Sequence, residues 1–199
     1  THWDEAVAFY TGSATLSDPT TNIGVFGYGV GEKKCPLFGT CTASSANSAL
    51  YKSAVNEKVL SLFASGRDMQ SGFQCTDMEA VKESLVKQFA VPLVQGTMQY
   101  LYLADTAPSE KYSAELWSFA SALLPLVDHY SISAGNSLKA NSYITNTRAV
   151  PNGYVAAKAS LESVYSAMGI TCADIGGWKD SSTTSGYATG MEPCTDSSP

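Results

Sequence analysis

His2 and Glu5 are the first residues in this chain whose types and spacing could do chemistry together. His2-Trp3-Asp4-Glu5 sets an imidazole and a carboxylate three residues apart, which in a helix places them one turn apart on the same face. Helical iron sites use such pairs with carboxylates projecting from facing helices, because ferric iron is hard and takes oxygen and nitrogen donors. Glu115, inside an otherwise apolar stretch around Leu116 to Val127, is the natural facing carboxylate, with Asp4 next and Asp128 as a further supplement. A buried glutamate costs several kcal/mol unless it is neutralised, paired or metal-bound, so Glu115 calls for a partner. The expected metal ligands are therefore His2, Glu5, Glu115 and Asp4, a donor set that a hard ion such as iron would take. A competing reading pairs Glu115 with Arg67 or Lys52 as a core ion pair. Asp4 and Glu5 are then first-turn acids favoured by the helix dipole, and His2 a solvated terminal residue.

Other chemistries have less behind them. Tyr51, Tyr100, Tyr102, Tyr112 and Tyr130 could offer phenolates to ferric iron, but tyrosines in this setting usually serve as core or interface aromatics. His129 beside Asp128 reads as a residue favoured at a helix C-terminus, and Arg67-Asp68 as a helix-end tie. There is no Gly-x-Ser-x-Gly elbow and no cysteine beside a histidine in sequence, so nucleophilic catalysis is not expected. Gly27-Tyr-Gly29-Val-Gly31 lacks the flanking strand and helix of a nucleotide-binding loop. The reading is of a non-enzymatic protein.

The elements that would position these residues are helical. Residues 1–10 form a first short helix with His2, Glu5, Ala6 and Phe9 on one face. From Gly12 to about Asn47 glycines, hydroxyls and two cysteines dominate, which predicts a long irregular loop. Leu50, Ala54, Val55, Val59, Leu62 and Phe63 form an apolar stripe that ends at Gly66-Arg67. Thr76-Asp77-Met78-Glu79 has the form of a capping box and opens a second long helix, which Pro92 should kink. Pro108-Ser109 opens a third, with Pro125 bending or ending it, and a weaker helix is expected over 131–143. Tyr154 to Met168 forms the last helix, closed by Gly169, and 171–199 is an irregular tail. The expected fold is an all-α helical bundle, one domain over 1–199, with a Gly/Ser-rich loop at 12–47 and a disulfide-stapled tail.

Composition narrows the setting. The 199 residues are 44% apolar but only 15% charged, against about 25% in average chains. The 26 serines and 17 threonines supply the polar surface instead. The net charge of −6 and the lack of a basic cluster beyond Lys33-Lys34 argue against nucleic acid and anionic membranes as partners. No apolar run approaches the roughly 20 residues of a transmembrane segment. Starting at Thr1 rather than Met, the chain is expected to be a processed mature protein or an excised segment. Five cysteines, none in a CxxC pair, favour an oxidising, secreted setting over a zinc ribbon. Their odd number leaves one thiol over. The short loop holding Pro36 and Gly39 makes Cys35–Cys41 the favoured bridge, the other pairings stay open, and Cys172 and Cys194 anchor the tail.

Several blocks carry a resemblance: His2-Trp3-Asp4-Glu5-Ala6-Val7-Ala8-Phe9-Tyr10, Ala49-Leu50-Tyr51-Lys52-Ser53-Ala54-Val55-Asn56 leading to Gly66-Arg67, Ser113-Ala114-Glu115-Leu116-Trp117-Ser118-Phe119 with Leu124-Pro125, and Gly153 to Lys158 with Gly169 to Asp174. Their order over most of 1–175 resembles the algal iron-assimilation family, secreted proteins also described as high-CO2-inducible periplasmic proteins, and the imelysin-like helical domains of bacteria. The resemblance implies a secreted or periplasmic helical protein linked to iron uptake. The Glu-x-x-Glu pattern proposed for iron in that family is absent, as Glu79-Ala-Val-Lys82-Glu83 misses it by one residue. The alternative is a structural or interaction module, with a protein partner at the cell surface or in a larger assembly and without bound metal.

Overall fold

The computed structural model describes residues 2–12, 24, 26–42, 52–72 and 75–196. Its helices are α1 (His2–Thr11), α2 (Gly27–Phe38), α3 (Ala54–Ser71), α4 (Cys75–Thr106), α5 (Glu110–Tyr130), α6 (Ile132–Ser142), α7 (Tyr154–Glu162), α8 (Tyr165–Met168) and α9 (Cys172–Ile175). The only sheet among the described residues pairs β1 (Cys41–Thr42) with β2 (Lys52–Ser53), antiparallel, Cys41 opposite Ser53. The fold is all-α, as the apolar periodicity predicts. It divides into two compact units, one up to Pro92 and one from Leu93, so α4 contributes residues to each.

In the first unit, α2 occupies residues that read as loop. Helix propensity explains the misreading, since each glycine costs about 1 kcal/mol in a helix interior. Packing explains the outcome. A Cβ on Gly27 would lie 2.8 Å from the Tyr10 ring, and one on Gly31 would lie 2.7 Å from Asn56 Oδ1. These glycines let α2 approach α1 and α3 closely enough to be held by them. Gly39 ends α2 in the left-handed conformation (φ 71°), and Cys35–Cys41 closes across that turn as expected. Residues 13–23, 25 and 43–50 of the expected loop lie outside the described residues.

Helix α3 runs through Gly66-Arg67 to Ser71 rather than stopping there. Gly66 has a different use: the Trp3 indole packs against it, and a Cβ would meet Trp3 Cζ2 at 2.0 Å. The indole N–H donates to the Phe63 carbonyl at 3.0 Å, in the preceding turn of α3. Trp3 of the first block and Gly66 of the second are thus two halves of one contact.

In the second unit, Leu116, Ala120, Leu123 and Val127 form the buried stripe of α5, which packs on α6, and Val94, Met98 and Leu101 of α4 and Leu138 of α6 are buried as well. Ser109 caps α5 by accepting the Tyr112 N–H. Pro125 neither ends nor shortens α5, because Leu123 and Val127 are fully buried on either side of it. The expected last helix is interrupted at Ser163-Val164, leaving α7 and α8, and Gly169 (φ 70°) closes α8 as predicted. The tail is anchored rather than loose. Cys172–Cys194 closes it, Gln95 Nε2 donates to the Ile175 carbonyl at 3.0 Å, and Trp178 exchanges backbone bonds with Ala188 and Met191. The Cys75 side chain lies outside the described residues.

Gly66→Ala separates propensity from packing by sign. Alanine alone would gain up to about 1 kcal/mol in the helix, whereas forcing the indole aside costs about 1–3 kcal/mol. We expect a lower thermal midpoint; a midpoint at or above the parent's would show that Trp3 does not hold α1 to α3.

Candidate functional site

The expected metal ligands fall in different places. His2, Asp4 and Glu5 are on α1 in the first unit and Glu115 is on α5 in the second. His2 and Glu5 do meet: Nδ1 lies 3.2 Å from Glu5 Oε2, with both side chains open to solvent (103% and 65% exposed). Asp4 does not join that face. It lines a shallow cleft of about 310 Å³ with Trp3, Val7, Phe63 and Arg67. Glu115 is half-buried rather than enclosed. The apolar stripe of α5 passes through Leu116, and a helix turns about 100° per residue, so Glu115 sits at the edge of that stripe where water reaches it. The desolvation argument that demanded a partner for it therefore lapses. Its negative charge is felt by Tyr100, whose phenol is raised above the ordinary value, first by burial and then by Glu115 and Tyr112.

Of the two cations in the competing ion pair, the Arg67 side chain is the one described. Arg67 is exposed and donates from Nε and Nη2 to its neighbour Asp68 at 3.1 and 3.0 Å. The Lys52 side chain and Tyr51 lie outside the described residues. The other tyrosines behave as aromatics: Tyr100 stacks on Phe119 (5.7 Å) and tilts over Tyr112, and Tyr102 meets Tyr154 edge-on (5.2 Å). His129 is exposed in the last turn of α5 against Tyr130, as a helix-end residue would be. Asp128 packs against Gly135 of α6, where a Cβ would fall 1.6 Å from Oδ1. Among the described residues no three His, Cys, Asp or Glu side chains gather in a way that could hold a metal ion.

Sequence reasoning missed two features of the first unit. One is a buried polar network. Tyr10 donates its hydroxyl to Asn56 Oδ1 at 2.5 Å, and Asn56 Nδ2 donates to the Tyr28 carbonyl (2.9 Å) and to Glu32 Oε1 (2.8 Å). The same Glu32 oxygen accepts the Ser53 backbone N–H at 3.0 Å, although Glu32 is only 5% exposed. Both Asn56 donors are spent, so its oxygen must accept, and Tyr10 must keep its proton. Burial and the Glu32 charge act in that direction and push the Tyr10 phenol far above its ordinary value.

The other is an apolar groove of about 470 Å³ walled by Trp3, Phe9 and Tyr10 of α1, Phe63 of α3, and Leu85 and Phe89 of α4. Tyr10 stacks on Phe89 (5.1 Å) and Trp3 meets Phe63 edge-on (5.7 Å). Trp3, Ala6 and Tyr10 at i, i+3 and i+7 were the signal for it. They turn the apolar face of α1 inward and leave His2 and Glu5 outside.

In the second unit a wider cleft of about 820 Å³ runs beside Cys172–Cys194. Tyr165 lines it, its hydroxyl buried without a hydrogen-bond partner among the described residues and its pKa raised by burial and by Glu162.

No helix among the described residues is long and apolar enough to cross a membrane. The two disulfides fit an oxidising environment. No family model, curated protein or solved structure matches the chain.

The tyrosines predict an alkaline limit to stability. A phenol whose folded-state pKa exceeds its unfolded value holds its proton more tightly when folded. The resulting stability is complete below the unfolded value of 10.0 and drains away as pH rises above it. Chemical denaturation should show stability falling above pH 10, with tyrosinate absorbance rising partly in step with unfolding. Tyr10→Phe should cost about 1–2 kcal/mol at neutral pH by orphaning Asn56 Oδ1 and should flatten the alkaline decline. An unchanged alkaline slope would mean that Tyr10 is not a buried donor.

Proposed function

We propose that this chain is a non-enzymatic protein of an oxidising compartment, secreted or periplasmic, that takes part in iron assimilation at the cell surface. The resemblance of its helical blocks to the algal iron-assimilation proteins supports the process. The observation that carries the chemistry is the His2–Glu5 pair, an imidazole nitrogen 3.2 Å from a carboxylate oxygen on an open helix face. Two protein donors leave most of an iron ion's coordination positions to water or to a small chelator, which suits a cargo that is picked up and passed on. The net charge of −6 favours cation approach. Glu115, at the edge of the α5 stripe, is a separate accessible carboxylate, and Asp4 is the neighbour on α1.

Titration with ferrous iron under anaerobic conditions, and with ferric citrate, should show weak one-to-one binding. His2→Ala and Glu5→Gln should each weaken it at least ten-fold, by removing one of two donors. Binding that survives both substitutions would overturn the His2–Glu5 assignment, and loss on Glu115→Gln alone would move the site to α5.

The second reading, an interaction module without metal, draws on a different surface. Ile132, Tyr143 and Ile144, at the two ends of α6, are 66%, 51% and 49% exposed. Under that reading the protein carries no metal and its mass in solution exceeds that of one chain at micromolar concentration.

A further inference from the structure

The groove between α1, α3 and α4 of the first unit has no part in the iron reading, and its composition is selective. About 470 Å³ falls in the range of sites for small molecules, roughly 300–1,000 Å³. Its walls are aromatic and aliphatic, and its polar atoms are already engaged. The Trp3 N–H is given to the Phe63 carbonyl and the Tyr10 hydroxyl to Asn56. Among the described residues nothing in the floor is left to hydrogen-bond a polar ligand, so what enters is held by apolar and ring contacts. At the mouth, Phe9 is 76% and Val86 47% exposed, two large apolar side chains left in water.

One lining residue breaks the pattern. Lys82 is the single charged residue among those described around the groove. Its ammonium contacts Glu79 one helical turn back, with both side chains mostly in solvent. An exposed pair of this kind is worth well under about 1 kcal/mol, so the ammonium can turn to another anion at little cost.

We propose that this groove binds a small amphiphile with an aliphatic or aromatic body and one acidic group, the body lying against Trp3, Phe63 and Phe89 and the acid meeting Lys82 at the mouth. The ligand class follows from the single cation beside an otherwise apolar wall. A neutral hydrocarbon would leave Lys82 unused, and a dianion or polyol would find no second polar anchor among the described residues. The site is independent of His2 and Glu5.

The test uses the intact protein and three probes. 1-Anilinonaphthalene-8-sulfonate should bind saturably, one per chain, with quenching of tryptophan emission. Laurate should displace it about three- to five-fold more effectively than dodecanol, the advantage expected from one exposed charge pair. Lys82→Gln, a surface change that leaves the walls intact, should abolish the preference for laurate while leaving dodecanol unaffected. Ala6→Phe, which fills the groove from α1, should remove binding of all three. Laurate and the aromatic sulfonate distinguish an aliphatic from an aromatic body. An undiminished laurate preference in Lys82→Gln would overturn the role of Lys82. Unchanged probe binding in a folded Ala6→Phe protein, or non-saturable binding by the parent, would overturn the site.

Discussion

A carboxylate taken out of water sets the terms for the first unit. Glu32 is buried on α2, and an uncompensated charge there would cost several kcal/mol. Its Oε1 is met by the Ser53 N–H where β2 leads into α3 and by Asn56 from the first turn of α3. Asn56 in turn holds the Tyr28 carbonyl and receives the Tyr10 hydroxyl. One buried charge thereby obliges three helices and the short β pair to keep fixed positions. Displacing any one of them would orphan a polar group in the interior. The aromatic cluster of Trp3, Tyr10, Phe63 and Phe89 builds on this arrangement, because the network anchors Tyr10 at its hydroxyl end and leaves its ring to stack.

Close approach is the second constraint, and it falls to glycine. Gly31 faces Asn56, Gly66 faces Trp3, Gly96 faces Phe119 and Gly135 faces Asp128, each too near to admit a Cβ. These are helical glycines whose cost in propensity is offset by the rings and polar side chains they let in. The sparse charge of the chain belongs to the same design. Few residues are charged, and 26 serines and 17 threonines supply much of the polar surface.

The disulfides act where helices give out. Cys35–Cys41 spans the end of α2 and the start of β1, and Cys172–Cys194 ties the start of α9 to the last described residues. From Thr171 onward the tail is folded by local bonds: the Thr171–Asp174 capping box, Asp180 accepting from Ser182, and Thr183 reaching the Tyr187 carbonyl. Asp180 is held below the usual carboxylate range by the Ser182 hydroxyl and N–H.

Much of this was legible in the residues. The all-α class, the start of α5 at Ser109, the end of α8 at Gly169, the Cys35–Cys41 bridge and the His2–Glu5 contact depend on neighbours in sequence, where periodicity, caps and short loops suffice. The depth of Glu115 was misjudged, because apolar neighbours on every side do not reveal that a residue lies one step off the buried stripe. Helix α2 was hidden because its glycines argue against a helix until Tyr10 and Asn56 arrive to use them. The groove and the Glu32 network were hidden for the same reason. Spacing relates Trp3 to Tyr10 on α1 and Asn56 to Phe63 on α3, but nothing in the sequence ties those pairs to each other, to Glu32 or to Phe89, and only packing makes them neighbours. Sequence alone settled the all-α class, most of the helical segments and which residues pair within a turn. Tertiary structure decided which polar groups are buried and which apolar faces stay open, because burial is a property of what another element brings alongside.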